Sequence, residues 1–251
     1  MKNIAFILCT IIAFALPIFL IIYWRKKTGC AIKPFIVGAL CFALFATLLE
    51  PILHTLVILP DNAVSRFITN TPIVYALYGG LAAGLFEETG RLFGFKVLLK
   101  DYKEIETSVG YGIGHGGIEC ILTLGVTYLM YTIVLLGGTL GDSVADATVI
   151  STISTININI IPLAIIERIL AMTLHIGLSI LVFKAVNDKK YRYLFVVAIL
   201  IHMIADIPAG LYQTGTITSL LIVELLTAIV SVSTLVLATI IYKKTEEEKD
   251  A

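Results

Sequence analysis

The chain has 251 residues, 58% hydrophobic and 14% charged, and its 18 basic and 18 acidic side chains cancel. A mean hydropathy of +0.97 excludes an ordinary soluble domain and indicates an all-α, polytopic transmembrane bundle in a lipid bilayer. No basic run is interleaved with aromatics, which excludes nucleic acid as an implied partner; the four cysteines lack CxxC spacing, so neither a disulfide framework nor a thiolate zinc site is suggested.

A window of about 20 residues predicts seven spans, at 4–24, 34–59, 72–99, 108–137, 160–184, 193–213 and 217–242. The first is too long for a signal peptide, carries only Lys2 at its front and is followed by Arg25-Lys26-Lys27, so it reads as an uncleaved span. Short loops rich in Lys and Arg stay cytoplasmic. Arg25, Lys26, Lys27 and Lys33 follow span one; Lys100 and Lys103 follow span three; Lys184, Lys189, Lys190 and Arg192 follow span five; Lys243, Lys244 and Lys249 follow span seven. The opposite connections hold only Arg66, which predicts an N-terminus outside and a C-terminus in the cytoplasm of a multi-pass cell-membrane protein. Residues 1–251 read as one integral-membrane domain, with 137–159 as an external loop or re-entrant piece and 246–250 as a solvated acidic tail.

Span three carries the anomaly. Glu87, Glu88 and Arg91 sit inside it, although even insertion scales charge roughly 2.5–3.5 kcal/mol for one ionised residue at a helix centre. Arg91 lies one turn from either acid, so it can neutralise one of them and leaves the other carboxylate over. A lone Glu/Arg pair would be explained by locking two helices together; the adjacent second acid is not.

Counting about 1.5 Å per residue from the cytoplasmic ends puts Glu87 and Glu88 at roughly 17 Å, His115 at about 10 Å, Glu119 at about 16 Å, His175 and His202 at about 14 Å and Asp206 at about 20 Å. Four spans therefore deliver acids and imidazoles to one layer, predicting a shared cavity that opens toward the cytoplasmic half. Glu50, His54 and Glu224 come out nearer the outer surface and are left outside the main site. His115 and Glu119 are i,i+4, as are His202 and Asp206, so each pair shares a helix face. One histidine on an apolar helix usually packs in the core, but three at one depth suit a metal such as zinc, or a base tuned by a neighbouring carboxylate. Glu167 and Arg168 read as a pair near the outer interface, with His175 the better site candidate on that span. Glycines at 110, 112, 114, 116 and 117 flank His115, where they permit either close helix approach or room for a substrate backbone. Pro208 frees a backbone carbonyl beside the site.

The ordered motifs Glu87-Glu88-x-x-Arg91, Tyr111-x-x-x-His115 with Gly-Gly-x-Glu119, Glu167-Arg168 to His175, and His202-x-x-x-Asp206 resemble the YhfC-type intramembrane metalloproteases, relatives of the CAAX prenyl proteases and bacteriocin-processing enzymes. The resemblance covers about half the chain. Compared with the wider superfamily, Arg91 sits one residue closer to the acid pair, Tyr111 stands for Phe and Asp206 for Asn. The resemblance implies hydrolysis of a peptide bond in a membrane-embedded or membrane-anchored substrate. Glu87 or Glu88, with His115 and Arg91, would activate water, and His115, His175, His202 and Asp206 would hold a metal, with zinc expected and a metal-free Glu/His mechanism as the alternative. Glu119, Tyr111, Glu167 and Arg168 would contact substrate or support the ligands. Two other function classes fit buried acids and imidazoles: a proton- or cation-coupled transporter, although no inverted halves are visible, and a non-catalytic scaffold that holds a partner's helix.

Overall fold

The computed structural model describes residues 2–250, and its regular structure is helical. In chain order the helices are α1 (Lys2–Thr28), α2 (Lys33–Leu44), α3 (Glu50–Val57), α4 (Ala63–Asn70), α5 (Pro72–Phe93), α6 (Glu106–Cys120), α7 (Val126–Leu135), α8 (Ser143–Thr155), α9 (Ile161–Asn187), α10 (Leu194–Gln213) and α11 (Leu220–Asp250). Single π-helical turns join α2 to α3 at Phe45–Leu49, extend α5 at Gly94–Leu98 and join α6 to α7 at Ile121–Gly125. Such turns change the helix register while keeping backbone groups paired, which a hydrocarbon surrounding demands.

Among the described residues, six stretches are long and apolar enough to cross a membrane: Lys2–Thr28, Lys33–Val57, Glu106–Leu135, Ile158–Asn187, Lys189–Gln213 and Leu220–Thr245. They coincide with six of the seven expected spans. The other, α5 with its π turn, is of similar length but is made less apolar by Glu87, Glu88, Arg91 and its glycines. Apolar side chains also cover the outside: Ile4, Leu40 and Ile229 are 65%, 61% and 64% exposed, the surface expected of a bundle solvated by lipid rather than water.

One helix is enclosed by the rest. Of the apolar stretch in α9, 67% is buried, against 17–28% in the other five, and α9 packs on α6, α10, α11 and α5. Elsewhere α5 lies along α10, and α2 along α6. The α2–α6 contact is close because it is made through glycines: a Cβ on Gly114 would stand 2.0 Å from the Phe35 carbonyl oxygen, and one on Gly38 2.2 Å from that of Tyr111. The glycines around His115 therefore serve helix approach. Gly114→Ala is expected to cost at least the 1–3 kcal/mol or so typical of a methyl forced into a packed interior. Thermal unfolding in detergent measures it, and an unshifted midpoint would mean that the two helices part freely.

The loops sort onto two faces. Lys2 Nζ donates to Ile153 O at 2.8 Å, which sets the N-terminus beside the end of α8. At the other face Trp24 Nε1 donates to Glu106 O at 3.0 Å, Lys103 Nζ donates to Asn187 Oδ1 at 2.9 Å, and the Lys184, Lys190 and Lys244 ammonium groups lie 4.8, 5.6 and 5.9 Å from the Tyr191 ring centre.

 Asp188 sits in this basic face, where the Lys190 backbone N–H and the Lys184 ammonium hold its carboxyl below the usual range. The Lys/Arg-rich connections thus gather on one side, as the sequence pattern requires.

Two connections hold more structure than expected. The stretch 137–159 contains α8, capped by the Asp142 carboxylate on Val144 N and packed through Ile153 against Phe6 and Tyr128. Between α3 and α5 lies α4, capped by Asn62 on Val64 N and Ser65 N. The backbone of α11 runs on as helix through the acidic stretch 246–250, where the side chains of Glu246, Glu248, Lys249 and Asp250 lie outside the described residues.

Candidate active site

Glu87 and Glu88 are neighbours on α5, but successive helical residues point about 100° apart, so they face different surroundings. Glu88 is fully buried against Arg91, one turn on, with Nε to Oε2 at 2.8 Å and Nη2 to Oε1 at 3.1 Å. The rest of that guanidinium is also used: Nη1 donates to Ser179 Oγ at 2.7 Å and His175 O at 3.2 Å, and Nη2 reaches His175 Nδ1 at 3.1 Å. Of the two acids, Arg91 therefore neutralises Glu88. Ser179, which sequence reasoning missed, is legible only through its i,i+4 spacing from His175.

Glu88 does a second thing: its Oε1 lies 2.8 Å from His202 Nδ1. A carboxylate accepts, so the ring donates from Nδ1 and leaves the Nε2 lone pair free. That nitrogen lies 3.8 Å from Glu87 Oε2 and 3.6 Å from Asp206 Oδ2. Glu87 Oε2 is also 2.8 Å from His115 Nε2 and 3.9 Å from His175 Nδ1. The spare carboxylate is thus bordered by three imidazoles, from α6, α9 and α10. Since a guanidinium only donates, His175 Nδ1 accepts from Arg91 and its proton sits on Nε2, 2.6 Å from Glu119 Oε2.

Of the two i,i+4 pairs, His202 and Asp206 stay together at 3.6 Å, whereas His115 and Glu119 part. Glu119 bonds across the bundle to Arg168 Nη1 at 2.8 Å and contacts His175, while His115 turns to Glu87. Arg168 also grips Glu167, its neighbour in sequence. Tyr111 is buried behind the site, its hydroxyl on Gly90 O at 3.3 Å and its ring on Phe95. Asp206, on α10, is 39% exposed at its side chain.

A cavity of about 380 Å³ is lined by Glu87, Glu119, Glu167, Arg168, His175, His202, Asp206 and Glu224. Its remaining walls come from the first half of α9, the second half of α10 and the start of α11, including Ala164, Gln213 and Leu220. These are the helix ends opposite the basic face, so the cavity opens away from the Lys/Arg-rich connections and not toward them as the depth count suggested. The reason is packing: Phe95, Leu99, Tyr111, Leu181, Phe183 and Leu194 fill the basic-face half with an apolar core. Glu224, left outside the main site on depth, also proves to line the cavity. Glu50 and His54 form a separate group with Tyr78, at 3.2 Å from His54 Nε2 to Glu50 and 2.9 Å from His54 Nδ1 to Tyr78.

Glu87, His175 and His202 each offer one ligand atom within 4.8 Å of the others, which makes them the candidate metal group among the described residues. Two imidazoles and a carboxylate with positions to spare match a catalytic zinc set, and the Glu88–His202 bond is the carboxylate support that such ligands use. Use of His175 Nδ1 would displace one Arg91 donor, leaving the guanidinium its hold on Glu88 and Ser179. His115 and Asp206 stand beside this group, not within it. The donor set fits a metal.

A profile of the family described as YhfC intramembrane metalloprotease matches residues 12–243. The chain belongs to the YhfC family. The YhfC match spans every residue that lines the cavity. A second comparison agrees: the "Uncharacterized membrane protein YhfC" of Bacillus subtilis (strain 168) is 35% identical over 230 residues, 88% of each chain. No solved structure matches. As a YhfC family member with its apolar spans, this is a multi-pass membrane protein.

Proposed function

We propose that the chain is an intramembrane protease that hydrolyses a peptide bond of a membrane-embedded or membrane-anchored substrate. The reading rests on one observation: an acid free of the Arg91 pair borders three imidazoles in a cavity roomy enough to admit a chain segment. Glu87 is the base. As a water oxygen bonds to the carbonyl carbon, its proton passes to the Glu87 carboxylate, which later delivers it to the leaving nitrogen as the C–N bond breaks. His115 donates to Glu87 and fixes its orientation, while Glu88 and Arg91 fix His202 and His175. Asp206 and the Glu119–Arg168 pair border the path of the substrate. Glu87, His175 and His202 would hold zinc, which when bound polarises a carbonyl and lowers the pKa of water to about 7.

Metal analysis of protein purified in detergent tests the ligand set. Wild type is expected to carry zinc at about one per chain and His202→Ala to lose most of it, since three protein ligands make a catalytic site. Equal metal in the two would remove His202 from the set. Orientation is part of the same proposal: with the basic face in the cytoplasm, the cavity opens outward. In intact cells a membrane-impermeant maleimide should label Ser143→Cys and spare Lys103→Cys, with little background because the four native cysteines are buried. The reverse pattern would invert the protein in the membrane.

A further inference from the structure

Glu224 lies in the second turn of α11, and its side chain lines the cavity that holds Glu87. It is 5% exposed, and its Oε2 is shut from solvent without a hydrogen-bond partner. A buried carboxylate oxygen without a donor is costly and rare in native proteins. The cavity's other acids are answered from within: Arg168 binds Glu119 and Glu167, and imidazoles border Glu87 and Asp206. Glu224 Oε2 receives a hydrogen bond from none of these groups, and Arg168 acts on the carboxylate only at longer range.

We propose that Glu224 sets substrate specificity by receiving a protonated amine of the peptide, either a lysine side chain or a free amino terminus. The proposal rests on the protease reading and names a feature of its substrate. An ammonium group supplies both what the orphaned oxygen lacks, a hydrogen-bond donor, and the charge that an acid in an apolar wall requires. A segment carrying that charge gains a fixed register along the cavity relative to Glu87.

The test is direct binding to the full-length Glu87→Gln protein in detergent, so that nothing is cleaved. The probes are three fluorescently tagged apolar peptides: acetylated with one lysine, acetylated with norleucine in its place, and the norleucine peptide with a free amino terminus. An amine-bearing peptide is expected to bind at least about tenfold more tightly than the acetylated norleucine peptide, the scale of one charge-assisted hydrogen bond. Glu224→Gln should erase that preference and Glu224→Asp retain part of it. Whether the lysine or the terminus carries the preference identifies the source of the amine. Equal binding of all three peptides, no binding of any, or a preference that survives Glu224→Gln would overturn the proposal. Amine-selective binding by a Glu87-intact protein that never cleaves would instead sink the protease reading and leave the subsite standing.

Discussion

Glu87→Gln is expected to lower peptide-bond cleavage by roughly 10²–10⁴-fold, the usual contribution of a positioned base, while the protein stays folded. The amide keeps the shape of the carboxylate and an oxygen that can accept from His115, but it cannot take the proton of water, and as a poorer zinc ligand than a carboxylate it should also lower metal content while leaving stability unchanged. Glu88→Gln should act by another route, by weakening the Arg91 contact and the hold on His202 Nδ1, so it should reduce metal content and stability along with turnover. Proteoliposomes carrying a membrane-anchored peptide give the measurement, with ion flux recorded in parallel. Unchanged cleavage in Glu87→Gln would dismiss Glu87 as the base. Flux that depends on Glu87, in protein that cuts nothing, would make the chain a transporter.

The second large effect is on stability. Arg91→Ala should cost about 3–5 kcal/mol, because removing one member of a buried pair leaves an uncompensated charge. Here the loss is compounded: Arg91 is fully buried and links Glu88 on its own helix to His175 and Ser179 on α9. Arg91→Lys should rescue only in part, since an ammonium cannot reproduce the two-pronged grip on Glu88. Unfolding in detergent reads both variants. An Arg91→Ala protein as stable as wild type would mean that the acid pair is accommodated without its cation.

The fold is legible in the sequence where one dimension suffices. Apolar length located six long helices, and loop charge grouped the basic connections on one face. Depth brought Glu87, His115, His175 and His202 to one layer, but depth along a helix says nothing about what faces it across the bundle. That is why Glu119 could be read with His115, four residues away, although it bonds to Arg168 on α9. Glu224 shows the complementary failure: placed by depth near the face opposite the basic loops, it lines the cavity because the cavity itself runs toward that face. The choice between Glu87 and Glu88 needed the positions of Arg91 and His202, and the latter is 114 residues distant from Glu88.

That long separation bears on how the protein is made. α5 reaches the membrane early, with a charged cluster and less apolar character than the other long helices, and the partners that complete its polar face arrive only with α9 and α10. Until then Arg91 can answer Glu88 locally, whereas Glu87 waits for His115 and then for His202. Integration of α5 would then be coupled to synthesis of the later helices: α9 brings His175 and Ser179 to Arg91, and α10 lies along α5 and brings His202 to Glu88.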